Sequence, residues 1–140
     1  MPFKFWQLPV HIDERGGLCA AEWKALPFKP KRAYFLFDTK MKRGGHAHRA
    51  EKEVFICVSG AFRATVHDGA TRRSYIMNTP GQALYTANMI WHEFDRFSSG
   101  AVMLALSSTP YKGQKGYIMD FERFKQICKK KSLLQAAPVL

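Results

Sequence analysis

The residues best suited to chemistry are two histidines spaced by one, His46-Ala47-His48, with Glu53 five positions on and His92 far downstream in Trp91-His92-Glu93. On a strand, residues i and i+2 point to the same face, so both imidazoles of the pair can enter one cavity. Imidazole titrates nearest neutrality, which suits it to general acid–base work and to metal ligation. Glu53 has three open roles: a metal ligand, an orienting partner for a histidine, or the buried partner of an arginine. Together His46, His48, Glu53 and His92 would make a set of three imidazoles and one carboxylate able to hold iron, manganese, nickel or zinc. His11 and His67 read as locally satisfied polar residues, His67 because it adjoins the turn dipeptide Asp68-Gly69.

The surrounding chain reads as strands and turns. Arg32–Phe37, Glu53–Val58, Ala61–His67, Arg72–Met77, Ala83–Thr86 and Ala101–Leu106 are short apolar or alternating runs. Breaks such as Ser59-Gly60, Asp68-Gly69 and Thr79-Pro80-Gly81 bound them, and strands at such spacing predict an all-β sandwich or barrel. Asp68-Gly69 is the strongest hairpin signal. Only the end has helical spacing, with Phe121, Phe124, Ile127 and Cys128 on one face from roughly Asp120 to Lys131. No repeat, linker or low-complexity tract divides the chain, which predicts a single domain over 1–140, its core at about 5–125 and a basic tail at 126–140.

Composition narrows the function. The 140 residues carry 22 Lys+Arg against 11 Asp+Glu, a net charge of +11, and 46% are hydrophobic, enough for a packed core. Three cysteines without a CxxC pair argue against a disulfide scaffold or a cysteine zinc site. No stretch suits a signal peptide or a bilayer span, so a soluble, reducing, cytoplasmic setting without a membrane partner is expected. Part of the basic charge sits in the tail, at Arg123, Lys125 and Lys129–Lys131 against Glu122 alone, and reads as a solvated helix end. A second concentration runs between Lys29 and Lys52, interleaved with Tyr34, Phe35, Phe37, His46 and His48, which points to an anion-binding pocket. No aromatic platform alternates with basic residues, so a nucleic-acid partner is not expected.

The spacing from His46 and His48 through Glu53 to Gly60, with a second half running from Gly81 to His92, resembles the paired motifs of the cupin superfamily. In the second half Ala87 and Met89 replace a usual proline and glycine. A closer resemblance is to the sugar 3,4-ketoisomerases, the FdtA/QdtA or WxcM-like group. It rests on Asp13–Leu18, Phe28–Asp38, Arg43-Gly44-Gly45-His46-Ala47-His48, Phe55–Gly60, Gly81–Tyr85, Trp91-His92-Glu93-Phe94 and Tyr117–Phe124. The resemblance implies a cupin jelly-roll barrel with a short C-terminal helix, homodimeric and without a metal or other cofactor. It would move the ketone of dTDP-4-keto-6-deoxy-D-glucose from C4 to C3, supplying aminotransferases that make amino-deoxysugars for surface polysaccharides. Motif matching makes His46 the base at C3 and His48 the group that moves protons between sugar oxygens, with Tyr34 and Arg32 facing the substrate.

The chemistry needs donors for a developing enediolate, which Tyr34 or Arg32 could supply, and a clamp for a diphosphate, for which Arg15, Arg32 and Arg43 are candidates. Trp91 and His92 are expected among the substrate contacts, as is Glu53. The sequence departs from the family at Glu53, where metal-independent relatives often carry glutamine, and in the basic segment Tyr111–Gly116. The competing readings are a metal-dependent cupin, such as a dioxygenase or another sugar isomerase or epimerase, and a non-catalytic sugar- or nucleotide-binding domain.

Overall fold

The computed structural model describes residues 2–136. Two antiparallel five-stranded sheets face each other. In chain order the strands are β1 (Phe3–Gln7), β2 (Val10–Asp13), β3 (Gly16–Cys19), β4 (Arg32–Leu36), β5 (Arg43–His48), β6 (Glu53–Ser59), β7 (Phe62–His67), β8 (Arg72–Met77), β9 (Gln82–Thr86), β10 (Trp91–Asp95), β11 (Val102–Ser107) and β12 (Tyr117–Ile118). One sheet has the order β1-β9-β6-β11-β4 and the other β12-β5-β10-β7-β8, while β2 and β3 form a separate hairpin. Non-consecutive neighbours within each sheet give the crossed connections of a jelly roll.

Alternation along the strands fills the space between the sheets. Phe55, Cys57, Phe62, Ala64, Val66, Met77, Leu84, Phe94, Met103 and Ala105 form this core, all but inaccessible to water. The outer face of the first sheet, with Val54, Ile56, Ala83, Tyr85 and Leu106, is covered by Leu8, Leu26 and Phe28 from the segment between β1 and β4. Across the second sheet lies the helix α1 (Phe121–Ala136), which packs Phe124 against Ala47, Trp91 and Ile118. Asp120 caps it, its carboxylate accepting from the Arg123 amide at 2.8 Å.

The six strands predicted from apolar runs are all present, their ends shifted by at most one residue, and β7–β8 turns at Asp68-Gly69 as expected. The helix runs five residues beyond the expected end at Lys131, through the basic tail to Ala136; residues 137–140 of that tail lie outside the described residues. Ser132 to Ala136 are exposed, which explains why no apolar spacing marked them. The β2–β3 hairpin was not legible, because Val10–Asp13 and Gly16–Cys19 are short, almost wholly exposed and form no apolar run.

Candidate active site

β5 and β10 build the centre of the site. Their register sets His46 opposite His92, with a bulge between His92 and Glu93. Gly44 makes that approach feasible: its φ is +77°, and a Cβ there would stand 2.9 Å from the His92 carbonyl oxygen. The three rings of His46, His48 and His92 cluster with centroids 4.8, 4.9 and 5.3 Å apart. Tyr117 from β12 stacks on His46 at 4.7 Å and meets His48 edge-on at 4.3 Å.

Opposite this cluster, β4 presents Arg32, Tyr34 and Leu36 at every second residue to a cavity of about 390 Å³. Arg43, Gly44, His46, His92, Phe94, Met103, Tyr111, Gln114 and Tyr117 complete its wall. Two predicted catalytic residues, His46 and Tyr34, therefore meet in one cavity with Arg32, Arg43 and His92.

His48 sits deeper, 4% exposed and outside the cavity lining. Its Nε2 is 2.7 Å from Oε1 of Glu53, whose other oxygen accepts a 2.6 Å hydrogen bond from the Tyr34 hydroxyl. Glu53 is thus the hidden link between the cavity tyrosine and the buried histidine. Of its three candidate roles, the arginine pair is not formed: Arg32 bonds to Glu51 instead, at 2.8 Å.

Glu53, expected among the substrate contacts, is 1% exposed and does not line the cavity, and two further predicted residues fall elsewhere. Trp91 does not line the cavity; it is the residue before His92 on a strand, so it must face the opposite way once His92 points inward. Its ring packs on Phe121 and Phe124 beneath α1, with Nε1 3.4 Å from Glu93. Arg15 lies in the β2–β3 turn, highly exposed and paired with Asp13, apart from the cavity wall of its own chain. Sequence reasoning missed Tyr117 and Glu51. Tyr117 had a signal in the motif Tyr117–Phe124 but no apolar run long enough to make it a strand.

Electrostatics separate the imidazoles from the carboxylate. Burial, reinforced by His92 and His48, pushes the His46 pKa down to about 3. Burial also lowers His92, to about 4. Its Nδ1 lies 3.1 Å from the Ile90 carbonyl, which can only accept, so neutral His92 carries its proton there and turns an Nε2 lone pair inward. Burial alone would raise Glu53, but the His48 contact, the nearby imidazoles and the Tyr34 hydroxyl outweigh it and hold the carboxyl below the usual range. Tyr34 is pushed well above an ordinary phenol, by burial first and then by Glu53. At neutral pH the cavity therefore offers a free imidazole base and a phenol that keeps its proton.

The donor set also fits a divalent metal. The ligand atoms of His46, His48 and His92 lie within 4.8 Å of one another, and Glu53 Oε1 is 3.5 Å from His92 Nε2. Both His48 nitrogens and Glu53 Oε1 are buried without a well-aligned hydrogen bond, an arrangement a shared cation would satisfy. A metal held there would polarise a bound carbonyl as a Lewis acid.

Residues 1–129 match the family model described as FdtA: WxcM-like, C-terminal. The TDP-4-oxo-6-deoxy-alpha-D-glucose-3,4-oxoisomerase of Aneurinibacillus thermoaerophilus is 38% identical over 125 residues, covering 87% of this chain and 89% of that protein. A crystal structure of a 3,4-ketoisomerase from Helicobacter canadensis superposes with a TM-score of 0.85 at 35% identity, over 92% of this chain and 98% of its own. A QdtA 3,4-ketoisomerase variant from Thermoanaerobacterium thermosaccharolyticum, solved with TDP-4-keto-6-deoxyglucose, superposes with a TM-score of 0.86 at 26% identity, over 94% and 97%. With the jelly roll, the histidine cluster and these matches together, the chain belongs to the FdtA/WxcM-like family of sugar 3,4-ketoisomerases.

Proposed function

We propose that this protein isomerises dTDP-4-keto-6-deoxy-D-glucose, moving the keto group from C4 to C3 by way of an enediolate. The observation that carries the proposal is the pairing of a neutral His46 with a protonated Tyr34 across one cavity that Arg32 and Arg43 also line. His46 takes the C3 proton, and the electron pair of that bond moves onto the C4 carbonyl oxygen. Donors on Arg32 hold the charge that develops there, while the Tyr34 hydroxyl keeps its one proton on Glu53. The O3 proton then passes to O4, the electrons collapse to a C3 carbonyl, and C4 takes a proton from the His46 imidazolium or from another acid. His48 lies behind Glu53, so its part in the oxygen-to-oxygen transfer runs through Glu53 and the Tyr34 hydroxyl. An imidazole held near 3 is a weak base in the empty cavity. The diphosphate and the enediolate bring negative charge beside it and raise its proton affinity.

Incubation of the protein with dTDP-4-keto-6-deoxyglucose in deuterated water, followed by NMR, tests the proposal. A 3-keto product with deuterium at C4 is expected; unchanged sugar without solvent deuterium sinks it.

A second reading keeps the substrate but adds a metal at His46, His48, His92 and Glu53, favoured by the buried donors that lack hydrogen-bond partners. Metal analysis of untagged protein separates the two readings: a stoichiometric metal whose removal stops turnover selects the metal-assisted one.

The protein acts as a homodimer in the cytoplasm, and its 3-keto product supplies the amino-deoxysugars of a surface glycan, such as lipopolysaccharide O-antigen or an S-layer glycan. No helix among the described residues is long and apolar enough to cross a membrane. In support of the dimer, Ile12, Leu18, Phe35 and Phe37 leave apolar area in water on the β2–β3 hairpin and along β4 and its end, area that a second copy would cover. Light scattering should give twice the chain mass of 16.0 kDa.

A further inference from the structure

Behind the cavity wall, in the turn between β5 and β6, the Glu51 side chain is 10% exposed. Its Oε1 accepts from Arg32 Nη2 at 2.8 Å and from the Ser107 hydroxyl at the end of β11. Its Oε2 lies 3.4 Å from His48 Nδ1, long for a hydrogen bond but within ion-pair reach. One carboxylate therefore touches a cavity arginine, a strand end in the first sheet and the histidine behind Glu53.

Arg32 depends on that contact. Its guanidinium stands 5.4 Å from the ring centres of both Tyr34 and Tyr111, and its Nη1 is buried with no partner in the protein. Glu51 provides the one carboxylate paired with Arg32 among the described residues. A guanidinium so enclosed keeps its place only while a counter-charge offsets the loss of water.

We infer that Glu51 is a positioning residue, its carboxylate fixing the Arg32 guanidinium in the cavity wall where an incoming oxyanion or phosphate meets it. The inference rests on the ketoisomerase reading only for its kinetic arm. That arm is a double-mutant cycle of Glu51→Ala and Arg32→Ala on kcat/KM with the sugar nucleotide. Losing the partner of a buried charge pair should cost about 30- to 100-fold in wild type. In the Arg32→Ala background the same change should cost less than about threefold, because its target is gone. Losses that multiply, or a folded Glu51→Ala variant within about threefold of wild type, overturn the inference.

Glu51→Gln keeps an acceptor for Arg32 and should recover about tenfold relative to Glu51→Ala, a rescue that a merely structural role in the turn does not require. If Glu51→Ala fails to fold, the cycle is run with Glu51→Gln and Arg32→Lys, and multiplying losses again refute the inference. The second arm needs no substrate. In nitrogen-15 spectra the Arg32 side-chain N–H signal should be sharp in wild type and Glu51→Gln and exchange-broadened in Glu51→Ala. An unchanged signal in Glu51→Ala removes Glu51 from this role. If wild type turns over no sugar nucleotide, the ketoisomerase reading falls and this arm alone decides.

Discussion

The Tyr34 hydroxyl donates to Glu53 at 2.6 Å, from the wall of the cavity to a carboxylate that is 1% exposed. Glu53 cannot give this contact up without stranding a buried oxygen, and Tyr34 cannot ionise beside it, since burial and the carboxylate both raise its pKa. Tyr34→Phe therefore leaves Glu53 Oε2 unpaired and cuts the link from the cavity through Glu53 to His48. With the relay to His48 broken, we expect kcat to fall about 10²- to 10³-fold and stability by about 1–3 kcal/mol, while affinity for dTDP stays within about threefold. Steady-state kinetics, urea denaturation and nucleotide titration check the three parts, and an unchanged kcat removes Tyr34 from the chemistry.

His46 should act as base without the acid limb near pH 6.5 that an ordinary imidazole gives. Its pKa of about 3 leaves it unprotonated throughout the neutral and mildly acidic range. In free enzyme, kcat/KM should hold level with respect to this group down to about pH 4. His46→Asn should lose turnover by at least about 10³-fold with nucleotide binding retained. An acid limb at 6.5 that vanishes in the variant would place the His46 pKa back at its ordinary value.

The same depressed imidazoles make stability depend on pH. The folded-state values near 3 for His46 and 4 for His92 lie below the ordinary 6.5, so between about 6.5 and 4 the unfolded chain binds protons that the folded chain refuses. Stability is then fully present above about pH 6.5 and lost as pH falls, by about 1.4 kcal/mol per pH unit for each histidine at most. Glu53 acts in the same direction lower down, its contribution being lost below about 4.5. Urea midpoints at pH 7.5 and 5.0 should show the fall, and His92→Gln should flatten it by removing one of the two groups. A wild-type midpoint independent of pH over this interval contradicts the burial assigned to both rings.

What the sequence made legible follows from which signals are local. His46 and His48 share a face because strand geometry is local, and the long apolar runs of β6, β7 and β11 announce buried strands. Glu51 could not be picked out, since its partners Arg32 and Ser107 are 19 and 56 residues away and only the sheet brings them together. The glycine missing from the second motif half was a misleading local signal: Met89 adopts φ +63° itself, its amide bonding to the His48 carbonyl at 2.7 Å. Trp91 was a misjudgement that alternation alone could have prevented.

Trp91 gives a prediction of its own. Its ring lies 7% exposed between β10 and α1, so its loss should loosen the helix and not the substrate. Trp91→Phe should cost about 1–3 kcal/mol and Trp91→Ala about 3–5, with KM for the sugar nucleotide within about twofold of wild type in the folded fraction. Thermal unfolding with parallel kinetics checks this, and a KM raised tenfold in a stable Trp91→Phe variant would restore Trp91 to the binding surface.

Gly44 tests whether the approach of β5 to β10 is what assembles the histidines. An alanine there would place Cβ 2.9 Å from the His92 carbonyl oxygen and 3.1 Å from Glu93 Cα, at a φ of +77°. The two closest atoms of β10 are backbone, so the strands must part and His46 must move from His92. Gly44→Ala should cost at least about 1–2 kcal/mol from the left-handed backbone alone and lower kcat/KM at least tenfold in the folded protein. Gly60→Ala is the matched control, with φ +70° and a Cβ 2.8 Å from Ala101 Cα, in a turn that does not line the cavity. It should lose comparable stability and keep its kcat/KM. If the two variants lose activity in equal proportion to stability, the histidine arrangement does not depend on the Gly44 contact.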